Sequence, residues 1–530
     1  MKQEDFPISE SAVHRFIEKN TPLWAGTWGD PAKPAVLINL SMVRLQVSWF
    51  LPKLLYAKGA QSVSGGEVLA LTWRENPLLS ALLASFSIRH ISLETWNRKH
   101  PFALLKALGK TVQTYFRHPT GETLQTLHFS GIPAGYSLYE DILRTSELST
   151  IRSARTGTVL KKTFHLAWTF YALESFLKRK PVFLAIMDDE AYHEGIFGRL
   201  FLKHARHVIA MNDMLDRPIA LLPSGLYDRD AWNLRDLYVE KLKHPDPEWE
   251  SAAEELLAAR FSGKNGRKID VGAFSGRNAS REELVKELGL DPEKKHVVIM
   301  AHTFSDGILS MGGLYFRDYY DWLDKTLSLA ETITEVEWVL KPHPTRSAYH
   351  EKQDSIENMF ERHKQKHLYF FPDEVSAGSV AGIADVILTI GGNAGLEFAC
   401  LGIPPVIAGK PFYHGFGFTC EPENLEEYEK TLKNIARMDR LSPHQVLTAK
   451  RLFTLRNRWS QLFPHFFHDD FVNAIGRHYY QMVENMALGY FESNENTESY
   501  NTESLNEILG WMDPGDLQET QYYKRGQAFS

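Results

Sequence analysis

The chain has 530 residues, 43% of them hydrophobic, enough for a large globular core and, at ordinary domain sizes, about two to four domains. The formal net charge is −7, so no global basic field points to nucleic acid. Cys400 and Cys420 lack the spacing of a zinc site or a disulfide framework, and a reducing, cytoplasmic setting is expected.

From Met1 to Asn20 the chain is polar and charged, without the apolar run a secretory leader needs. No stretch of about 18 apolar residues occurs. Work at the inner face of the cytoplasmic membrane would therefore be peripheral.

In chain order, Ala35 to Leu40 and Val68 to Thr72 read as buried strands, Leu78 to Ala84 as a helix and Ile88 to Ser92 as a third strand. Helical segments from Pro101 to Phe116 and Thr158 to Leu177 follow. Pro181 to Met187 is an apolar strand ending in Asp188-Asp189-Glu190, and His207 to Ala210 continues the alternation. Strands alternating with helices argue for a parallel sheet of βαβ units. The zone between Lys243 and Arg281, rich in Gly and Pro, reads as a linker, and Ser280 to Glu283 as a capping box. A second alternating series begins at His296 and runs through strands at Val336, Leu368, Val386 and Val406, with helices at Tyr319 to Leu329 and from Asn393. The expected fold class is α/β, with two Rossmann-like doubly wound domains facing a cleft. The expected division is residues 1–285, a first Rossmann-like domain; 286–445, a second; 446–490, helices crossing back; and 491–530, a polar, mobile tail. No internal repeat of about 20 to 50 residues occurs.

Ligands of open α/β sheets bind beyond the carboxyl ends of the strands, so the residues there are the site candidates. After Thr389, Gly391 and Gly392 permit a tight turn and close backbone approach, Asn393 suits an N-cap, and Ala394 and Gly395 open a helix whose free N–H groups favour a phosphate. Glu397, one turn on, suits ribose hydroxyls. An ordinary capped βα turn accounts for the same glycines. Lys341-Pro342-His343-Pro344 holds a Lys and a His in a rigid extended segment, with Arg346 nearby; His343 suits a leaving phosphate, by charge or as a general acid. His302, Ser305 and Asp306 follow the strand His296 to Met300 and can contact donor or acceptor. Asp188, Asp189, Glu190 and Tyr192 sit at a strand end in the first unit. A carboxylate there can deprotonate an acceptor hydroxyl; adjacent acids can also hold Mg²⁺, or simply stabilise a helix start. Lys161-Lys162 through Lys178-Arg179-Lys180 enclose Phe164, Trp168, Phe170 and Phe176; such a helix can rest on anionic lipid, though core packing is the plainer account.

Taken together, Trp338 to Pro344, Ala384-Asp385-Val386, Gly395 to Ala399, Gly402-Ile403-Pro404, Gly409 to Tyr413 and Gly417-Phe418-Thr419 resemble the bacterial capsule polysaccharide biosynthesis family, which includes Kdo transferases of GT-B-like fold. The likeness is dense from about Lys295 to Glu426 and reaches the Asp189 to Gly195 segment. It implies transfer of a sugar from a nucleotide-activated donor, CMP-Kdo or a related one, to a surface polysaccharide or a lipid-linked glycan. It implies no cofactor and no bound metal. His343 would contact the donor phosphate, the Gly391 to Glu397 loop would seat phosphate and ribose, and Asp189 or Glu190 would be the base. Gly392-Asn393 departs from the family's Ser or Thr, which leaves the donor open. A nucleotide-sugar epimerase, a CDP-polyol phosphotransferase and a non-catalytic glycan-binding or assembly protein remain alternatives.

Overall fold

The computed structural model describes residues 14–459, apart from 41–52, 211–218, 221–237, 240–247, 263–273, 308–313 and some single positions, among them Asp189, Glu190 and Thr345. The expectations for residues beyond 459 lie outside the described residues.

Two parallel sheets organise the chain. The first contains β1 (Ala35–Asn39), β2 (Val68–Thr72), β3 (Arg89–Ser92), β6 (Val182–Met187), β7 (Ala205–Ala210) and β8 (Ile219–Ala220), in the order β3-β2-β1-β6-β7-β8. Only β8 runs antiparallel to its neighbour. A hairpin of β4 (His128–Phe129) and β5 (Ile132–Pro133) lies in the helical insertion between β3 and β6. The second sheet contains β9 (Lys295–Met300), β10 (Val336–Lys341), β11 (Leu368–Phe370), β12 (Val386–Thr389) and β13 (Pro405–Ile407), all parallel, in the order β11-β10-β9-β12-β13. All five residues of β1 and all six of β10 are buried. Helices cover both faces of such sheets, so their central strands read as unbroken apolar runs. The fold is therefore the expected α/β pair of doubly wound units.

In both sheets strand order reverses beside the first strand of the unit, between β1 and β6 and between β9 and β12. Such a reversal opens a crevice at the carboxyl ends of the strands. A contact joins the two crevices: Tyr192 Oη, just after β6, donates to Asp306 Oδ1, just after β9, at 3.1 Å. The units are also pinned through the insertion. Tyr139 Oη and Thr150 Oγ1 donate to the buried Asp318 carboxylate at 2.5 and 2.6 Å, and Arg317 pairs with Glu122 at 2.7 Å.

Local signals hold where they were strong. Ser280 and Glu283 form the reciprocal capping box, and Gly289 closes that helix in the left-handed region at φ 73°. The zone 243–281 is not simply a linker. It holds the helix Glu248–Phe261, whose Ala253 and Leu257 pack with Leu396, Ala399, Cys400, Ala449 and Leu452 of the second unit. Flanking Gly and Pro concealed its apolar positions. The basic-aromatic helix Gly157–Leu177 is a core helix, with Leu166, Phe170 and Phe176 buried.

Candidate functional site

β9 lies between β10 and β12, so the loops after these three strands converge. From β9 comes His302, whose Nε2 shares a 3.1 Å hydrogen bond with Oγ1 of Thr389, the last residue of β12. From β10 comes His343, whose ring lies nearly parallel to that of His302 with centroids 6.5 Å apart. The other side of His302 leans on Tyr319, ring centroids 4.5 Å apart. Burial, helped by the neighbouring His343, holds His302 down to about 3, and burial also lowers His343. Both imidazoles are therefore neutral at physiological pH, each with one N–H to donate and one nitrogen to accept.

The turn after β12 closes against this pair. Gly392 N donates to Thr389 Oγ1 at 3.4 Å, and a Cβ at Gly392 would sit 3.1 Å from His302 Cε1. Gly395 is required for space: a Cβ there would lie 2.3 Å from Tyr413 Oη, which donates to Gly392 O at 2.7 Å. Tyr413 thus holds the turn in place, a role with no local sequence signal because it comes from a distant loop. Gly391 abuts Pro411. Ala394 begins the short helix Ala394–Ala399. Asn393 stands at the expected N-cap position, exposed and with helical backbone angles, but its side chain makes no capping bond.

Lys341 ends β10, buried, with Nζ 5.1 Å from the Phe371 ring centroid. Burial lowers its ammonium to about 8. Desolvation of this kind is relieved when an anion arrives.

Other expected site residues have protein partners. Glu397 is buried and pairs with Arg260 of the helix Glu248–Phe261 at 2.5 Å, a partner brought in by the region read as linker, in place of the expected ribose contact. Arg346 is held by Glu357 at 2.6 Å and Asp373 at 2.5 Å. Ser305 donates through N and Oγ to Glu351 Oε1 at 2.8 and 3.1 Å. Burial pushes Glu351 up to about 7, which makes it a carboxyl able to hold or release a proton near neutrality, and sequence patterning did not single it out.

In the first unit, Asp188 is buried and ion-paired with Lys53. Asp189 and Glu190 lie outside the described residues. Tyr192 adopts φ 55°, a left-handed conformation uncommon for a non-glycine residue, and its N donates to Glu140 Oε2 at 3.2 Å. The next residues, His193 and Glu194, form a charged cluster with no role evident from sequence. Burial pulls His193 down, but hydrogen bonds with Asp141 at 2.8 Å and Glu194 at 3.4 Å raise it to about 10. Asn39, the last residue of β1, donates to both Glu194 oxygens at 3.0 Å.

Fold and site define a two-unit α/β protein whose second unit presents neutral histidines, a close-approach glycine turn and a desolvated lysine at its switch point. Residues 273–447, spanning that second sheet, match the family described as "Capsule polysaccharide biosynthesis protein". That match covers about a third of the chain, the part built around the second sheet. No curated protein matches the chain. Among solved structures, the chain is similar to a Thermosulfurimonas dismutans KpsC beta Kdo 2,4 transferase at 17% identity, covering 51% of this chain and 79% of that one, TM-score 0.31. It is similar to Anabaena HepE in complex with UDP and glucose at 11% identity, covering 90% and 99%, TM-score 0.25. It is also similar to a putative UDP-N-acetylglucosamine 2-epimerase from Listeria monocytogenes at 11% identity, covering 83% and 98%, TM-score 0.25.

Proposed function

We propose that the protein is a glycosyltransferase of capsular or surface polysaccharide synthesis, taking a nucleotide-activated sugar in the second unit and a glycan acceptor from the first. The observation that carries this reading is the meeting of His302, Thr389, Gly392 and His343 at the β9/β12 switch point, in a segment that matches the capsule family. A leaving nucleotide needs its phosphate charge met. Neutral imidazoles can do so by N–H donation, the Gly391–Gly392 backbone by close approach, and Lys341 by its charge.

In this reading His343 contacts the donor phosphate and donates its N–H as the glycosidic bond breaks. His302, held by Thr389, orients the same phosphate. The Asp306 carboxylate partly opposes the burial that lowers both histidines, and it accepts a hydrogen bond from Tyr192 across the units. Asp189 or Glu190, which precede Tyr192 in the chain, would take the proton from the acceptor hydroxyl. Basic side chains and N–H donors meet the leaving phosphate, so no metal is needed. The donor is a CMP- or related nucleotide sugar, and the acceptor a polysaccharide or lipid-linked glycan.

The test is calorimetric titration of the purified chain with CMP, CDP, UDP and GDP, with and without His343→Ala, followed by a transfer assay with the selected nucleotide sugar. One nucleotide should bind selectively, and His343→Ala should lower transfer by about 10²–10⁴. A folded protein that binds none of the four would overturn the reading. Conversion of the nucleotide sugar without any acceptor would assign an epimerase instead.

A further inference from the structure

We propose that the helix Phe102–Arg117 is a membrane-docking face that lays the first unit on an anionic lipid bilayer. This helix buries one side only, packing Ala103, Ala107 and Thr114 toward the helix Gly157–Leu177. Its opposite side is apolar and open to solvent: Phe102 is 77% exposed, Leu105 61%, Val112 57% and Phe116 69%, with Leu108 and Tyr115 beside them. At helical spacing these six residues form one continuous stripe along all four turns. A contiguous exposed stripe of this kind marks an interaction surface, whereas single exposed apolar residues do not.

The charge around the stripe selects the partner. From Thr95 to Gly121 the sequence contains Arg98, Lys99, Lys106, Lys110 and Arg117 and no Asp or Glu, in a chain whose net charge is −7. On the helical wheel Lys106, Lys110 and Arg117 share one flank of the stripe, between it and the buried side. Lys106 is partly engaged, 3.8 Å from Glu174 and 5.3 Å from the Tyr171 ring centroid; Arg117 is exposed. Arg155, also exposed, lies 5.3 Å from the Tyr115 ring centroid and extends the basic edge. Bulky apolar side chains on a convex helix, edged by cations, fit the boundary between headgroups and acyl chains of a bilayer with anionic lipids. No helix among the described residues is long and apolar enough to cross a membrane, so this contact is interfacial. The surface is not the basic-aromatic helix singled out in the sequence: that helix packs its aromatic residues inward and supports this one.

Vesicle flotation tests the assignment, with the full chain and vesicles of phosphatidylglycerol and phosphatidylethanolamine against vesicles of phosphatidylcholine alone. The wild type should float with the anionic vesicles and not with the neutral ones. Binding should fall about tenfold or more in Leu105→Ser/Val112→Ser/Phe116→Ser, and again in Lys110→Glu/Arg117→Glu or at high salt. These side chains are on the surface, so thermal melting of both variants should match the wild type. The proposal is overturned if the wild type ignores anionic vesicles, or if neither variant weakens binding. A dimer that the triple serine variant converts to monomer would also overturn it, assigning the face to a second copy of the chain.

Discussion

The two strand-end crevices have the same topology and opposite electrostatics. In the first unit the polar groups satisfy one another: Asp188 has Lys53, Glu194 has Asn39 and His193, and His193 has Asp141. In the second unit the equivalent place has neutral imidazoles, a glycine turn and a lysine that burial pushes down to about 8. A closed charge network stiffens a wall, whereas a set of donors with depressed basicity is ready for an anion. The difference supports the proposal that a donor phosphate binds in the second unit and an acceptor is positioned by the first.

Removing the centre of the closed network should have the largest effect. His193→Ala would leave Asp141 and Glu194 buried together, and urea unfolding near pH 6 should show a loss of about 3–5 kcal/mol. His193 is raised to about 10 when folded, from about 6.5 in an unfolded chain. Its stabilisation is therefore complete below about pH 6.5 and is lost as pH rises toward 10. The variant should lack that slope; an unchanged slope would show that the network is not closed through His193.

Glu397→Ala comes next and separates structure from binding. It strands Arg260 against the second unit, and the chain should lose about 3 kcal/mol in denaturant titrations. Nucleotide affinity, measured below the melting range, should hold. A specific loss of affinity at unchanged stability would return Glu397 to the donor site and blur the contrast between the two crevices.

The smallest change is Lys341→Met, which should weaken nucleotide binding by about 1.5–3 kcal/mol while leaving melting equal or higher, because a desolvated ammonium has been removed. Wild-type affinity should decline above about pH 8 as the amine loses its proton. If the variant binds as well as the wild type, the lysine faces no phosphate.

The central strands were legible because buried parallel strands are unbroken apolar runs. Ala35 to Asn39, Val68 to Thr72 and Val182 to Met187 appear where the pattern put them. The helix Glu248–Phe261 was hidden, since its small apolar residues find their partners only on the helix Pro443–Thr454 and around Ala399. In the candidate site, His302, Thr389, Gly392 and His343 were visible as polar or small residues at strand ends. Glu397, Arg346 and Ser305 looked the same, yet each has a protein partner far along the chain or across a loop. Glu351 carried no signal, because only its enclosure beside Ser305 makes it unusual.

By itself the sequence determined the α/β class, the doubly wound alternation and the strand ends where chemistry can occur. Those follow from hydrophobic periodicity and from Gly and Pro, which act over a few residues. Tertiary structure alone decided which strand-end groups are engaged by distant parts of the chain and which are stripped of solvent. Ion pairs such as Arg260 with Glu397, and the desolvation that neutralises His302, depend on chain segments far apart in sequence.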